Sequence, residues 1–150
     1  MSNHGTLILI QGLAGSGKSH LIRFLKFDFM IEENFAISDQ AEDENISILA
    51  KELRGGRYCI VSERKYRSTH KRNEFIEKLR RRVRPAPAPN IESIFFENDL
   101  DAANHNCQHR TNKANDPGGQ RHIIQNKKDA EDYQIPDDAI VVKIYRIPSQ

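Results

Sequence analysis

Apolar residues fall in short unbroken runs that alternate with stretches at helical spacing, and this alternation sets the first reading of the fold. Thr6–Gln11 (TLILIQ) is continuous and of strand length, the pattern of a strand buried on both faces. A glycine-rich turn follows, and then Leu21, Ile22 and Leu25 at helical spacing. Asn34–Ser38 (NFAIS) predicts a second short strand leading into Asp39. Asn45 is placed to cap a helix whose buried face is Ile46, Leu49, Ala50 and Leu53, closed by Gly55-Gly56. Tyr58–Val61 (YCIV) predicts a third strand. Ser68 or Thr69 then opens a helix with Phe75, Ile76, Leu79 and Val83 on one face.

Pro85-Ala86-Pro87-Ala88-Pro89 cannot continue that helix and reads as a stiff, extended connector. Neither side of it has enough apolar residues for a core of its own, so residues 1–150 read as a single domain. Ile91–Phe96 (IESIFF) predicts a fourth strand and Asp99–Arg110 a helix. Thr111–Arg121 is polar and carries the turn residues Asp116-Pro117-Gly118-Gly119. His122–Asp132 reads as helical, and Ala139–Ile147 (AIVVKIYRI) as the last strand. Strands alternating with helices make this an α/β domain around a mostly parallel sheet.

Composition narrows the class. Charged residues make up 29% of the chain and no apolar run approaches the roughly 20 residues that span a bilayer, so no membrane role is expected. The Thr6–Ile10 run has no basic residue before it and feeds into a motif, unlike a signal peptide. Cys59 and Cys107 form no disulfide framework, which leaves the cytoplasm as the expected compartment. Charge is uneven along the chain. Residues 28–52 hold eight acids against Lys51, whereas residues 63–84 hold ten Lys or Arg against three Glu. One acidic and one basic surface region are expected from this.

The chemistry starts at Gly12-Leu13-Ala14-Gly15-Ser16-Gly17-Lys18-Ser19, a full match to G-x-x-x-x-G-K-[ST] between a buried strand and an amphipathic helix. Background residue frequencies would produce the pattern in on the order of one in two hundred chains this long. Its glycines let backbone N–H groups wrap an anion, and the helix end, with His20 in its first turn, adds positive potential. Lys18 is the expected contact to the β- and γ-phosphates of ATP, and Ser19 the expected Mg²⁺ ligand. Phosphoryl transfer further needs an acid near the metal, a group to orient the acceptor, and cations around the moving phosphoryl. Asp39, just past the second strand, is the candidate for the acceptor's hydroxyl proton, with a turn residue as the plainer alternative. Glu63, ending the third strand after Ser62, is the candidate metal-associated acid, with a surface Glu as its alternative. Arg110 opens the polar segment at about 111–121. That segment is a candidate lid, with Arg110, Lys113 or Arg121 neutralising charge, and an Arg that complements the helix dipole is the plainer alternative for Arg110.

Taken together, these residues resemble the small P-loop kinases, in particular the polynucleotide-kinase-like and zeta-toxin-like group of AAA-domain predicted kinases. Gly12–Ser19 matches the cradle of that group, Ser38-Asp39 its acid site and Arg110 the start of its lid. Arg72 falls near an Arg early in the helix after the third strand, and Tyr133-Gln134-Ile135-Pro136 looks like a Tyr-x-x-Pro before the last strand. The element order fits over about residues 6–147. The resemblance implies a three-layer P-loop NTPase fold, with a five-stranded sheet in the order 2-3-1-4-5 and helices on both faces. It departs from the group in two places: no Arg follows Asp39, and the third strand ends in Ser-Glu instead of an Asp.

Other signals point to plainer roles. His105, Cys107 and His109 do not share one helix face as a metal site would require, Cys59 reads as a small core residue, and Phe24, Phe27 and Phe29 read as core or as cover for the nucleotide lobe. The basic stretch Arg64–Arg84 is either a solvated helix end or a track for a nucleic-acid backbone. The expected function is transfer of the γ-phosphoryl group of Mg·ATP to a hydroxyl acceptor. A polynucleotide 5′-hydroxyl kinase and a non-catalytic nucleotide sensor are the alternatives.

Overall fold

A computed structural model describes residues 4–31, 33–114 and 118–148, apart from the side chains of residue 33 and of residues 110–119. Five parallel strands lie in the order β2-β3-β1-β4-β5, and helices cover both faces of the sheet. The strands are β1 (Thr6–Gln11), β2 (Glu33–Phe35), β3 (Tyr58–Val61), β4 (Asn90–Phe96) and β5 (Ile140–Val142). The helices are α1 (Lys18–Asp28), α2 (Glu42–Arg54), α3 (Thr69–Val83), α4 (Leu100–Ala114) and α5 (Gly118–Glu131). A 3₁₀ turn, Arg64–Arg67, joins β3 to α3.

Central β1 is buried along its whole length, which explains why its sequence does not alternate. Its odd positions Leu7 and Leu9 pack with Ile46, Leu49 and Leu53 of α2 and with Phe75, Leu79 and Val83 of α3. Its even positions Ile8 and Ile10 pack on the other face with Leu21, Ile22 and Leu25 of α1 and Ala102 and Ala103 of α4. Because all strands are parallel, the ends of β1, β2 and β3 emerge on one edge, where open α/β sheets hold their ligands.

Phe75 is 1% exposed and stacks on Tyr66 with centroids 4.4 Å apart. Phe75→Ala should therefore cost about 3–5 kcal/mol of stability, read as a lowered midpoint in a urea titration.

The helix over Ile46–Leu53 forms with its expected buried face, but it starts at Glu42. Asn45 does not cap it: the Asn45 Oδ1 accepts the Ser38 N–H at 3.0 Å and holds the chain leaving β2. Strand pairing of β2 ends at Phe35, short of the expected Ser38. β5 is likewise only Ile140–Val142, because the following residues are taken up by side chains and not by the sheet. Glu97 Oε1 accepts from Ile144 N–H at 3.1 Å, and Asn106 Oδ1 accepts from Ile147 N–H at 2.8 Å. Ser68 caps α3, as expected, accepting from Lys71 N–H at 3.4 Å.

The acidic and basic regions turn out to face each other across α2 and α3. Lys78 Nζ lies 2.6 Å from Glu42 Oε1, and Arg82 Nη2 lies 3.5 Å from Asp43 Oδ1. Phe27 and Phe29 are not core: they are 83% and 64% exposed at the far end of α1. Among the described residues no helix is long and apolar enough to cross a membrane.

Candidate functional site

The cradle begins where β1 runs out at Gln11. Gly15 and Gly17 take φ values of +85° and +110°, a region side chains other than glycine rarely adopt. A Cβ on Gly15 would also stand 2.3 Å from the Ala103 carbonyl oxygen, so helix α4 packs directly on the loop. The first intrahelical bond of α1 is Leu21 N–H to Gly17 O at 3.0 Å. The N–H groups of Lys18, Ser19 and His20 precede it and are left for a ligand at the positive helix end. Two members of the expected cradle differ from that pattern. Ala14 N–H donates to Asn126 Oδ1 at 2.9 Å, and Ser16 N–H donates to Leu13 O at 3.1 Å, so both serve the loop's own shape.

Lys18 is half-buried and folds back to donate to Gly12 O at 2.7 Å. Burial lowers its pKa from the ordinary lysine value; the charge of Asp129 raises it in part, and that of Arg64 lowers it. The hydroxyl of Ser16 is buried within the loop with no partner among the described residues, and Ser19 is exposed in the first turn of α1. A row of N–H donors, a lysine and an unsatisfied hydroxyl fit a polyphosphate. Ser19 is a fitting hydroxyl for the accompanying cation. Among the described residues no three His, Cys, Asp or Glu gather as a metal site.

Asp39 lies on the same edge of the sheet, past the end of β2. Its side chain is 80% exposed, and Oδ1 accepts from Lys65 Nζ at 2.8 Å. The Lys65 hydrogen bond and charge hold its pKa below the ordinary carboxylate value, with Lys71 adding to the effect. Lys65→Ala should therefore move the Asp39 carboxyl titration to higher pH in an NMR experiment. An unmoved midpoint would break the pairing.

Glu63 is committed on one side: Oε1 accepts the Ile37 N–H at 2.9 Å and ties β3 to the chain leaving β2. Ser62 Oγ donates to Ile10 O at 2.8 Å, so the position before Glu63 braces β1. Arg110 lies in α4, and its side chain falls outside the described residues. Of the segment expected as a lid, residues 115–117, with Asp116 and Pro117 of the expected turn, lie outside the described residues, and the rest is helical. Residues 111–114 continue α4, with no glycine or proline to stop them, and α5 begins at Gly118. Arg121 is exposed in α5.

Arg72 is a structural residue. It is 4% exposed, donates to Tyr66 O, Arg67 O and Thr69 Oγ1, and lies 4.8 Å from the centre of the Phe95 ring. The Tyr133 hydroxyl is 2.5 Å from Phe96 O and 3.1 Å from Gln11 O, one proton shared between two carbonyls beside the cradle. His105 and Cys107 go separate ways, His105 Nε2 to Ile147 O at 2.7 Å and Cys107 Sγ to Ala14 O at 3.3 Å. A cavity of about 440 Å³ lies between α3 and residues 135–138, floored by Leu9, Ile91 and Ser93. None of its lining residues belongs to the cradle.

Helix α5 supplies what the sequence did not announce. Asn126, 1% exposed, accepts from Ala14 N–H and donates to Ala14 O at 2.8 Å, clasping both ends of one residue of the loop. One turn later, Asp129 is 4% exposed and lies 2.8 Å from Arg64 Nε. Asn106 of α4 donates to Gly15 O at 2.9 Å. Lone Asn and Asp residues in a polar helix carry no sequence signal of this kind, since each acts through a partner far away in the chain.

No protein-family model matches the chain, and no curated protein matches it significantly. Solved structures do share its architecture. One is a gluconokinase from Sinorhizobium meliloti 1021, similar with a TM-score of 0.53 and 12% identity over 96% of this chain and 85% of that one. The chain is thus an α/β domain with the sheet order and layers of a P-loop kinase fold.

Proposed function

We propose that the chain transfers the γ-phosphoryl group of Mg·ATP to a hydroxyl acceptor. The observation that carries this reading is the loop between β1 and α1. Left-handed Gly15 and Gly17, open first-turn N–H groups and a half-buried Lys18 converge on one point at the sheet edge. The gluconokinase likeness supports the same reading at the level of fold.

In this account the N–H groups of Gly15, Gly17, Lys18, Ser19 and His20 bind the phosphate chain, with Gly12, Leu13, Ala14 and Ser16 shaping the loop. Lys18 leaves Gly12 O for the β- and γ-phosphates. Bound Mg²⁺ would offset charge on those phosphates, with Ser19 as its protein ligand and the second oxygen of Glu63 as an outer acid. Asp39 orients the acceptor hydroxyl and takes its proton, its carboxylate leaving Lys65 to do so. Arg110 is the cation proposed for the α4 side.

A second reading, a nucleotide sensor without transfer, is favoured by one observation: Ser62 and Glu63 are both engaged in bracing the sheet edge. ADP release from Mg·ATP across a panel of hydroxyl compounds, 5′-hydroxyl oligonucleotides included, separates the readings. Acceptor-stimulated release lost in Lys18→Ala supports the kinase. Stimulation by oligonucleotides alone narrows it to a polynucleotide kinase. ATP binding with no stimulated release supports the sensor.

A further inference from the structure

Asp129 is a carboxylate taken almost wholly out of water, which is costly without partners. Its partners are two arginines of the 3₁₀ turn after β3: Arg64 Nε at 2.8 Å and Arg67 Nε at 3.6 Å. Gln125 Nε2 adds a bond at 3.0 Å. The two arginines differ in what remains free. Arg67 spends its fork on Asp132, at 2.7 Å through Nε and 3.1 Å through Nη2, and its Nη1 on Arg64 O. Arg64 meets Asp129 through Nε, and its side chain is 57% exposed. Its two terminal nitrogens have no bond among the described residues, and these form the edge that grips two phosphate oxygens at once.

Three connections bring this pair to the cradle. Asn126, one helical turn before Asp129, holds Ala14 from both sides. Arg64 follows Glu63, whose carbonyl accepts from Gln11 Nε2 at 2.6 Å, at the residue before the cradle opens. The charges of Asp129 and Arg64 both act on Lys18.

We infer that Arg64 is a further cation, beside Lys18, that meets the γ-phosphoryl group, and that Asp129 is the residue that positions it. This rests on the reading of the cradle as an ATP site. The γ-phosphoryl carries the charge that moves in transfer, and a guanidinium fixed beforehand needs no reorganisation as that charge shifts. Asp129 restrains the side chain and, with Lys18, Arg64 and Arg67 around it, leaves the site positive.

The test is calorimetric titration of Mg·ATP and Mg·ADP into the wild type, Lys18→Ala, Arg64→Ala, Arg64→Lys, Asp129→Asn and the Arg64→Ala/Asp129→Asn double variant. Arg64→Ala should lose roughly ten- to a hundredfold in ATP affinity, the range of a hydrogen bond to a charged group, and about threefold or less for ADP. Arg64→Lys should recover part of the loss. Asp129→Asn should fall in the same direction, and the double variant should bind ATP no worse than Arg64→Ala alone, since one residue acts through the other. Equal losses for ATP and ADP, or none, would overturn the role of Arg64, even if the Asp129 variants fail to fold. Losses that add in the double variant would overturn the positioning role of Asp129. A wild type that binds ATP, with Lys18→Ala that does not, shows that the cradle reading stands whatever Arg64 does. A wild type that binds neither nucleotide overturns both.

Discussion

Lys18→Ala should weaken Mg·ATP binding by about a hundredfold or more while leaving the domain folded. The ammonium is the one cation of the cradle on the loop itself, and a charge-assisted contact to phosphate contributes about 1.5–3 kcal/mol, more than one such contact being available across the β- and γ-phosphates. Its bond among the described residues is to Gly12 O, so removing it takes a single hydrogen bond from the fold. The loop keeps its shape through Asn126, Asn106 and the Ser16–Leu13 turn. An isotherm and a thermal melt on the same sample separate the two effects. Unchanged affinity would remove Lys18 from the site.

Asp39→Ala should lower acceptor-stimulated turnover by roughly a hundred- to ten-thousandfold, the span of general-base contributions, with Mg·ATP affinity within about threefold of wild type. The asymmetry follows from position. Asp39 leaves the end of β2, two strands from the cradle in the sheet order, and its bond is to Lys65 and not to the loop. Asp39→Asn keeps the shape and loses the basicity, so it should be nearly as impaired. Full turnover in Asp39→Ala would end the role proposed for it.

The two variants fail in different ways, binding in one and turnover in the other. That difference is what a kinase requires and a sensor does not. A sensor would show the loss in Lys18→Ala with no turnover to lose in Asp39→Ala.

What the sequence disclosed follows from how local each signal is. β1, the glycine turn that leads into α1 and the buried face of α2 lie in unbroken windows, and each forms where expected. Asn45 is ambiguous because the same side chain that caps helices also fits the chain leaving β2, and distant contacts decide between them. Apolar content alone predicts a last strand running to Ile147. Instead Glu97, just past β4, and Asn106 of α4 claim the backbone after Val142, and those bonds exist only once the fold brings residues 144–147 beside them. Hydrophobicity alone puts Phe27 and Phe29 inside, but α1 presents only Leu21, Ile22 and Leu25 to the sheet. Asn126, Asp129 and Arg64 are invisible for the opposite reason. Each is an ordinary polar residue until the fold brings α5 over the loop.

ADP release alone does not tell transfer to an acceptor from transfer to water. The most direct test of the central claim is therefore to follow label from γ-labelled Mg·ATP in the presence of hydroxyl acceptors, with Lys18→Ala as the control. The account predicts label covalently attached to one acceptor class at a rate that depends on that acceptor, and none in the control. Label that stays on ATP, or that appears only as inorganic phosphate whatever hydroxyl compound is present, would contradict it.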